Sequence, residues 1–146
     1  MDEARTDHSG ARVSVIVPVR DRRDLLGALL SALEAQTFRD FEIVIVDDGS
    51  RDGSGDYAEA HTVADRPVRV VRGPEQGAVT ARQVGVEAAV GNVLAFTDSD
   101  CAPHPGWLAA AVDAIDDGAA VVNGRTQPAR PLRPLERSMG SSDEGL

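Results

Sequence analysis

Short apolar runs rich in β-branched residues alternate with stretches of helical periodicity along the chain. The apolar runs have the length and composition of buried strands, and turn-forming residues follow several of them. They cover residues 13–17, 41–46, 68–71, 93–96 and 119–122. We predict a strand over each of these runs.

Helices are predicted between the strands. From Asp24, a candidate cap, to about Gln36 the leucines recur at helical spacing, which indicates an amphipathic helix. Further helices are predicted from Asp52 or Ser54 to His61, over residues 79–90 and over residues 107–115. Because strands alternate with helices, we predict an α/β fold with a largely parallel sheet and right-handed crossovers.

Composition separates the central part of the chain from both ends. Residues 1–12 form a polar leader, residues 13–124 carry the alternating pattern, and residues 125–146 are rich in Pro, Arg and Ser. A segment like this tail buries too little apolar surface to fold by itself. We therefore expect one domain over 13–124 and a poorly ordered tail.

Charge and cysteine content exclude several classes of protein. A net charge of −9 opposes binding to a phosphate backbone, so no nucleic-acid partner is expected. Cys101 is the only cysteine, so the chain forms no internal disulfide and a reducing compartment is expected. The leader lacks the apolar core of a signal peptide, and no apolar run approaches the roughly 18 residues of a membrane-spanning helix. We predict a cytoplasmic, soluble protein with no membrane span.

Acidic residues follow several of the predicted strands. Asp21 follows the first strand, Asp47 and Asp48 follow the second, and Asp98 and Asp100 follow the fourth. In a parallel α/β sheet the ligand crevice lies outside the carboxyl ends of the strands. We therefore expect these carboxylates to meet at one edge of the sheet.

The sharpest motif is Asp98-Ser99-Asp100, a D-x-D directly after an apolar strand. Two carboxylates turned toward the same point, together with phosphates and waters, suit octahedral Mg²⁺ or Mn²⁺. Such a metal would bridge a diphosphate and neutralise charge as that group leaves. The alternative is a solvated acidic turn, which the position after the strand and the companion acids disfavour.

Two other features also have alternative interpretations. Asp48 can accept a hydrogen bond from a nucleobase while Gly49 allows the tight turn that follows, or the pair is a plain Asp-Gly turn with an N-cap. Arg82, one turn into its helix, can reach a phosphate or a loop carboxylate, or it is a surface arginine. The histidines show no metal-ligand spacing with each other or with Cys101, so we expect none of them to be a ligand.

Residues 13 to about 124 resemble the nucleotide-binding part of glycosyltransferase family 2. The matching segments are VSVIVPVRDRRDLL, QTFRDFEIVIVDDGSRDGS and GAVTARQVGVEAAVGNVLAFTDSDCAP followed by GWL. The match covers only the first half of the usual catalytic domain. It implies a GT-A fold, which is a Rossmann-like three-layer α/β/α arrangement with a mainly parallel sheet.

The resemblance also implies a function and a set of site residues. The chain would bind a nucleoside diphosphate sugar, with a UDP-sugar favoured, for inverting hexosyl transfer to the hydroxyl of an unknown acceptor. The predicted nucleotide-binding residues are Pro18, Val19, Arg20, Asp21, Asp48, Gly49, Arg82 and Asp98. The predicted ligands of Mn²⁺ or Mg²⁺ are Asp98 and Asp100. Arg20 stands where the family often has an aromatic residue, and Gln83 where Asn is common, so Arg20 is the candidate to pack against the base.

Two rival functions remain at this point. Haloacid-dehalogenase-like phosphatases also place a D-x-D after a parallel strand, but after the first strand and with a downstream Lys, which this chain lacks. The stronger rival is a truncated, non-catalytic module that holds a nucleotide. In the family the catalytic base comes from the second half of the domain, so no catalytic residue is assigned here.

Overall fold

The structure, a computed structural model, describes residues 10–127. Most of the predicted leader, and the tail beyond residue 127, lie outside this range. The elements in chain order are β1 (Val13–Val19), α1 (Arg23–Glu34), β2 (Phe41–Asp47), α2 (Ser54–Glu59), β3 (Thr62–Val63), β4 (Arg66–Pro67), β5 (Arg69–Arg72), α3 (Ala78–Ala88), β6 (Val93–Phe96) and α4 (Trp107–Asp116).

The central sheet has the strand order β5-β2-β1-β6, and every pairing within it is parallel. Val13, the first residue of β1, lies opposite both Phe41 and Val93. The strands therefore run in one direction, and the loops that follow them lie at the same edge. This confirms the predicted α/β class and the parallel sheet.

Helices cover both faces of the sheet. One face packs against α1, α2 and α4, with Val15 and Leu108 in the same buried cluster. The opposite face of β2, at Val44, packs against α3. Gly85 allows α3 to approach this face closely, because a Cβ at that position would collide with Ile16. The three-layer arrangement implied by the resemblance is confirmed.

A buried carboxylate stabilises the amino-terminal side of the sheet. Glu42 of β2 accepts hydrogen bonds from the Ser14 hydroxyl at 2.7 Å, the Val90 N–H at 2.9 Å and the Arg69 guanidinium at 2.8 Å. Burial alone would raise the pKa of the Glu42 carboxyl, but these hydrogen bonds together outweigh burial and lower the pKa below its usual value. The ionised form therefore joins β1, β2, β5 and the end of α3.

The predicted strand over residues 119–122 is wrong. After α4 the described chain has no helix or strand up to residue 127, and Val121 is 77% exposed. A strand needs a neighbour that takes up its backbone hydrogen bonds, and no described strand lies beside these residues. The apolar run alone was therefore an insufficient signal.

Local differences also occur at a turn and at a helix start. β3 and β4 form a short antiparallel hairpin that has no counterpart in the sequence prediction. Its turn holds Ala64 and Asp65 at φ of 52° and 61°, a conformation usually marked by Gly or Asn, so no turn signal indicated it.

α1 begins at Arg23 without a side-chain cap, so Asp24 lies in the first turn and does not cap the helix.

Candidate functional site

The loops after β1 and β2 are joined by direct hydrogen bonds at the carboxyl edge of the sheet. The Asp21 N–H donates to Ser50 Oγ at 2.9 Å, and the Arg51 N–H donates to Asp21 Oδ1 at 2.7 Å. The Asp48 N–H donates to the Val19 carbonyl at 2.8 Å. The structure thus brings together the predicted residues of the first two loops, although they are far apart in sequence.

The predicted site residues at the end of β1 differ in how far their side chains are exposed. Val19 is only 2% exposed and its side chain belongs to the core, so this residue contributes backbone alone to the edge. Pro18 is half-buried, while Arg20 and Asp21 are exposed in the loop. Among these four residues, the side chains available to a ligand are therefore mainly those of Arg20 and Asp21.

Asp48 is the most unusual carboxylate of the site. It is 3% exposed, and its Oδ2 accepts a hydrogen bond from the Gly77 N–H at 2.8 Å. Its Oδ1 is buried beside Gly73 and has no hydrogen-bond partner among the described residues. Because a buried acceptor without a donor is costly, Asp48 marks a place where a ligand donor would be stabilising.

The turn after Asp48 depends on glycine. Gly49 has a φ of 87°, which residues with a Cβ rarely adopt. A Cβ at Gly49 would also collide with the side chain of Glu75 from the loop after β5. The predicted role of Gly49 in a tight turn is confirmed, and Glu75 is a neighbour that the sequence did not indicate.

Asp47, the neighbour of Asp48, has a structural role. Its Oδ1 accepts from the Ser50 N–H at 2.9 Å, and its Oδ2 accepts from Arg72 Nη1 at 2.6 Å. Asp47 is 5% exposed, so both of its oxygens are engaged within the fold. The two adjacent aspartates are thus distinguished by their partners, and Asp48 alone retains an unused acceptor.

The D-x-D lies on the loop after β6, as predicted. Asp98 and Asp100 are exposed, whereas Ser99 between them is 7% exposed. The ligand atoms of Asp98, Asp100 and Cys101 all lie within 4.8 Å of one another. Cys101 is the member of this cluster that sequence reasoning missed, and its position next to the D-x-D was the available signal.

Arg82 reaches a loop carboxylate, which was one of its predicted alternatives. Its Nη2 donates to Asp98 Oδ1 at 2.8 Å, so α3 and the loop after β6 are in contact here. The side chains are 38% and 58% exposed. A guanidinium in this position places a positive charge beside the D-x-D.

The donor set on this loop fits a divalent cation. Carboxylate oxygens suit Mg²⁺ and Mn²⁺, and an adjacent thiol is compatible with Mn²⁺ and softer ions. Asp98 and Asp100 are exposed, so water and phosphate oxygens have access to complete a coordination shell. The residues present are therefore compatible with a divalent cation.

The sequence of this chain also matches that of a known family. The sequence model of Glycosyl transferase family 2 matches residues 14–137. The chain belongs to glycosyl transferase family 2.

Curated relatives of this family 2 chain are longer than it is. It is 35% identical over 119 residues to glycosyltransferase AglE of Haloferax volcanii, an alignment that covers 79% of this chain and 39% of AglE. It is 40% identical over 88 residues to the putative glycosyltransferase EpsH of Bacillus subtilis, covering 60% of this chain and 26% of EpsH. The chain thus spans well under half the length of these relatives.

Solved structures show the same fold as this family 2 chain. TarS 1–349 of S. aureus in complex with UDP-GlcNAc is 29% identical with a TM-score of 0.67, covering 80% of this chain and 37% of TarS. The mannosyltransferase PcManGT of Pyrobaculum calidifontis in complex with GDP-Man and Mn²⁺ is 31% identical with a TM-score of 0.65, covering 77% of this chain and 34% of PcManGT. The expected GT-A fold is confirmed. Within residues 10–127 the family 2 chain contains no helix that is both long and apolar enough to cross a bilayer.

Proposed function

We propose that this chain binds a nucleoside diphosphate sugar, with a UDP-sugar favoured, for inverting hexosyl transfer to an acceptor hydroxyl. The observation that carries the proposal is the placement of Asp48 and the D-x-D at one edge of the sheet. Asp48 offers a buried acceptor that has no partner among residues 10–127, and Asp98 with Asp100 offers exposed carboxylates. A nucleoside diphosphate has N–H donors at its base and a charged diphosphate at its other end. Along this edge Asp48 can accept from the base, and the D-x-D can hold a cation for the diphosphate.

The nucleoside would lie between the loops after β1, β2 and β5. Asp48 Oδ1 is the acceptor for a base N–H, since its Oδ2 is already bonded to the Gly77 N–H. Pro18, Val19 and Arg20 form the neighbouring wall at the end of β1. Asp21 and Gly49, both at positive φ, turn the chain at the ends of the loops beside it.

The diphosphate would lie beside the D-x-D. Asp98 and Asp100 would hold Mn²⁺ or Mg²⁺, which when bound supplies positive charge to the diphosphate as that group leaves. Arg82 lies next to Asp98 and can turn its remaining N–H donors to a phosphate oxygen. This arrangement orients the nucleoside diphosphate sugar, with its base at Asp48 and its sugar beyond the D-x-D.

The solved neighbours support this assignment of ligand class. TarS was solved with UDP-GlcNAc, and PcManGT with GDP-Man and Mn²⁺. Both ligands are nucleoside diphosphate sugars with a hexose-type unit. The same class of ligand on two structures with this fold favours a nucleoside diphosphate sugar over an unrelated anion.

Calorimetry tests the proposed function directly. UDP should bind the purified chain in the presence of Mn²⁺ or Mg²⁺ and more weakly with a chelator. The variant Asp113→Asn, an exposed site on α4, is the control and should behave as the unchanged chain. Equal affinity with and without the chelator would reject the metal assignment, and no binding of UDP or GDP under any condition would reject the function.

A second candidate is a donor-binding module that does not itself transfer sugar. One observation favours it: residues 117–127, the described residues beyond α4, form no helix or strand that could hold a catalytic base in place. A donor-consumption assay with Mn²⁺ and a panel of hydroxyl acceptors decides between the two. Acceptor-dependent turnover at roughly 1 to 10³ s⁻¹, the usual enzyme range, would exclude the binding module.

A further inference from the structure

The turn after β6 directs three potential ligands to one side. The Cys101 N–H donates to the Asp98 carbonyl at 3.1 Å, which closes the turn over residues 98–101. Ser99, between the two aspartates, is buried. The carboxylates of Asp98 and Asp100 and the thiol of Cys101 therefore converge, with their ligand atoms within 4.8 Å of one another.

The thiol of Cys101 is directed at the D-x-D. Its Sγ lies 3.8 Å from Asp100 Oδ1, and the side chain is only half-buried. Cys101 is the sole cysteine of the chain, so it has no disulfide partner within it. A small apolar residue would serve equally well if the position required only packing, whereas a thiol beside two carboxylates adds a third kind of donor atom.

We propose that Cys101 is a protein ligand of the divalent cation at the donor site, alongside Asp98 and Asp100. This inference rests on the proposed function and adds to it a sulfur ligand and a metal preference. On coordination the thiol gives its proton to solvent and binds as the thiolate. The site therefore prefers Mn²⁺ to Mg²⁺ and binds thiophilic ions such as Cd²⁺ more tightly still.

The physical basis for this preference is ligand softness. Mg²⁺ binds almost only oxygen and keeps several waters, so it gains nothing from a sulfur ligand. Thiolates favour softer ions, and Mn²⁺ accepts the mixed set more readily than Mg²⁺ does. The sulfur would consequently raise affinity for Cd²⁺ strongly, raise affinity for Mn²⁺ modestly, and leave that for Mg²⁺ unchanged.

Cd²⁺ spectroscopy tests the inference without an activity measurement. A bond between thiolate and Cd²⁺ produces an ultraviolet charge-transfer band, and with one cysteine in the chain that band reports Cys101 alone. Cd²⁺ is titrated into the chain in the presence of UDP, in buffer free of thiol reagents. We expect a saturable band, no band in Cys101→Ser, and a band at higher Cd²⁺ concentration in Asp100→Asn. Asp113→Asn is the matched carboxylate control and should titrate as the unchanged chain.

Nucleotide binding gives a second, independent measurement. Cys101→Ser should lower Cd²⁺ affinity by at least about tenfold, the lower end of what changes around a metal site cost. The same variant should leave Mg²⁺-assisted UDP binding unchanged and reduce the advantage of Mn²⁺ over Mg²⁺. Serine retains the size of cysteine, so a general loss of folding would instead weaken binding with every metal.

The outcomes separate this inference from the proposed function. One outcome is that UDP binding depends on metal, no Cd²⁺ band appears, and Mn²⁺ and Mg²⁺ support UDP binding in the same order in Cys101→Ser as in the unchanged chain. That outcome would reject Cys101 as a ligand and leave the proposed function standing. A Cd²⁺ band that depends on Asp100, without any nucleotide binding, would support the metal cluster and reject the proposed function.

Discussion

Arg82 on α3 donates from Nη2 to Oδ1 of Asp98 at 2.8 Å, across the gap between the helix and the loop after β6. Both side chains are partly exposed, so the pair adds no more than about 1 kcal/mol to stability. Its importance lies in position, because it keeps a positive charge beside the carboxylates proposed to hold a cation. The charge opposes a metal that arrives alone and favours a metal that arrives with a diphosphate.

Replacement of Arg82 should therefore change metal and nucleotide binding in opposite directions. Arg82→Gln should bind Mn²⁺ alone more tightly, since a like charge is removed, and should bind UDP with Mn²⁺ about tenfold more weakly, since a charge-assisted hydrogen bond is lost. Calorimetry with each ligand measures both effects. Arg39→Gln breaks a similarly exposed pair with Glu34 on the surface and should alter neither. A parallel change in both affinities would contradict the proposed placement of Arg82.

Asp48→Asn should weaken binding of the nucleoside while the metal dependence survives. The amide retains one acceptor for the Gly77 N–H but presents a donor where Oδ1 now lies, so a base N–H would meet another N–H. The comparison is between UDP and inorganic pyrophosphate, each with Mn²⁺. UDP affinity should fall and pyrophosphate affinity should remain. Loss of the response to Mn²⁺ alone would reverse our division of roles between Asp48 and the D-x-D.

Asp100→Ala should weaken Mn²⁺-assisted UDP binding by about 1 to 3 kcal/mol, the cost of losing a charge-assisted contact. The affinity measured in chelator should not change, because Asp100 is proposed to act through the metal. Asp113→Ala on α4 provides a control for the loss of an exposed carboxylate. If Asp100→Ala lost the same amount of UDP affinity with Mn²⁺ as in chelator, the residue would act on the nucleotide directly.

Glu42→Gln should destabilise the fold without direct effect on the site. The amide cannot accept from all of Ser14, Val90 and Arg69, and Arg69 loses its partner charge. Arg69 is 25% exposed, so water can partly solvate the charge that remains, and the expected cost is about 1 to 3 kcal/mol. Urea denaturation measures the change, with exposed Glu87→Gln as a control expected to lie within about 0.5 kcal/mol of the unchanged chain. A shift no larger than that of Glu87→Gln would show that the buried carboxylate is not required.

The same carboxylate predicts how stability depends on pH. Because folding lowers the pKa of Glu42, its contribution is fully present above the unfolded value, about 4.3, and is lost as the pH falls through the folded value. The free energy of unfolding should therefore decline under acidic conditions, and Glu42→Gln should decline less steeply. Denaturation curves collected between roughly pH 3 and pH 7 for both chains test this. Identical slopes would show that other carboxylates control acid unfolding.

The strands of the sheet and the edge that bears the site were predictable because their signals are local. The apolar runs that became β1, β2, β5 and β6 each have a paired neighbour. The loops after β1 and β2, which carry Asp21 and Asp48, are hydrogen-bonded to each other, and Asp98 lies on the loop after β6 at the same edge of the sheet. The run at 119–122 is also apolar, although half of it is alanine, and no described strand lies beside it. Pairing is a property of the whole sheet, which a single run cannot reveal.

Two features of the site region depend on information that the local sequence does not carry. One is a set of contacts with residues distant in sequence, and the other is the geometry of a backbone turn. Asp47 and Asp48 are adjacent in sequence, yet only contacts with Arg72 and Gly77 show which of them is left with an unused oxygen. The thiol of Cys101 joins the D-x-D because a turn closes through backbone hydrogen bonding, which the residue types alone did not indicate. The sequence indicated the edge of the sheet at which the candidate site lies, and tertiary contacts distinguished the surroundings of the residues there.

The outer side of β6 has consequences for how the chain behaves in concentrated solution. β6 pairs with β1 on one side only among the described residues, and Leu94 and Phe96 are 39% and 46% exposed. Such an edge is a template for strands of other molecules. A net charge of −9 keeps copies apart at low ionic strength, but the screening length falls from about 10 Å at 0.1 M salt to about 3 Å at 1 M. High salt will therefore promote edge-to-edge aggregation of this chain, and colloidal stability will be greatest in dilute buffer.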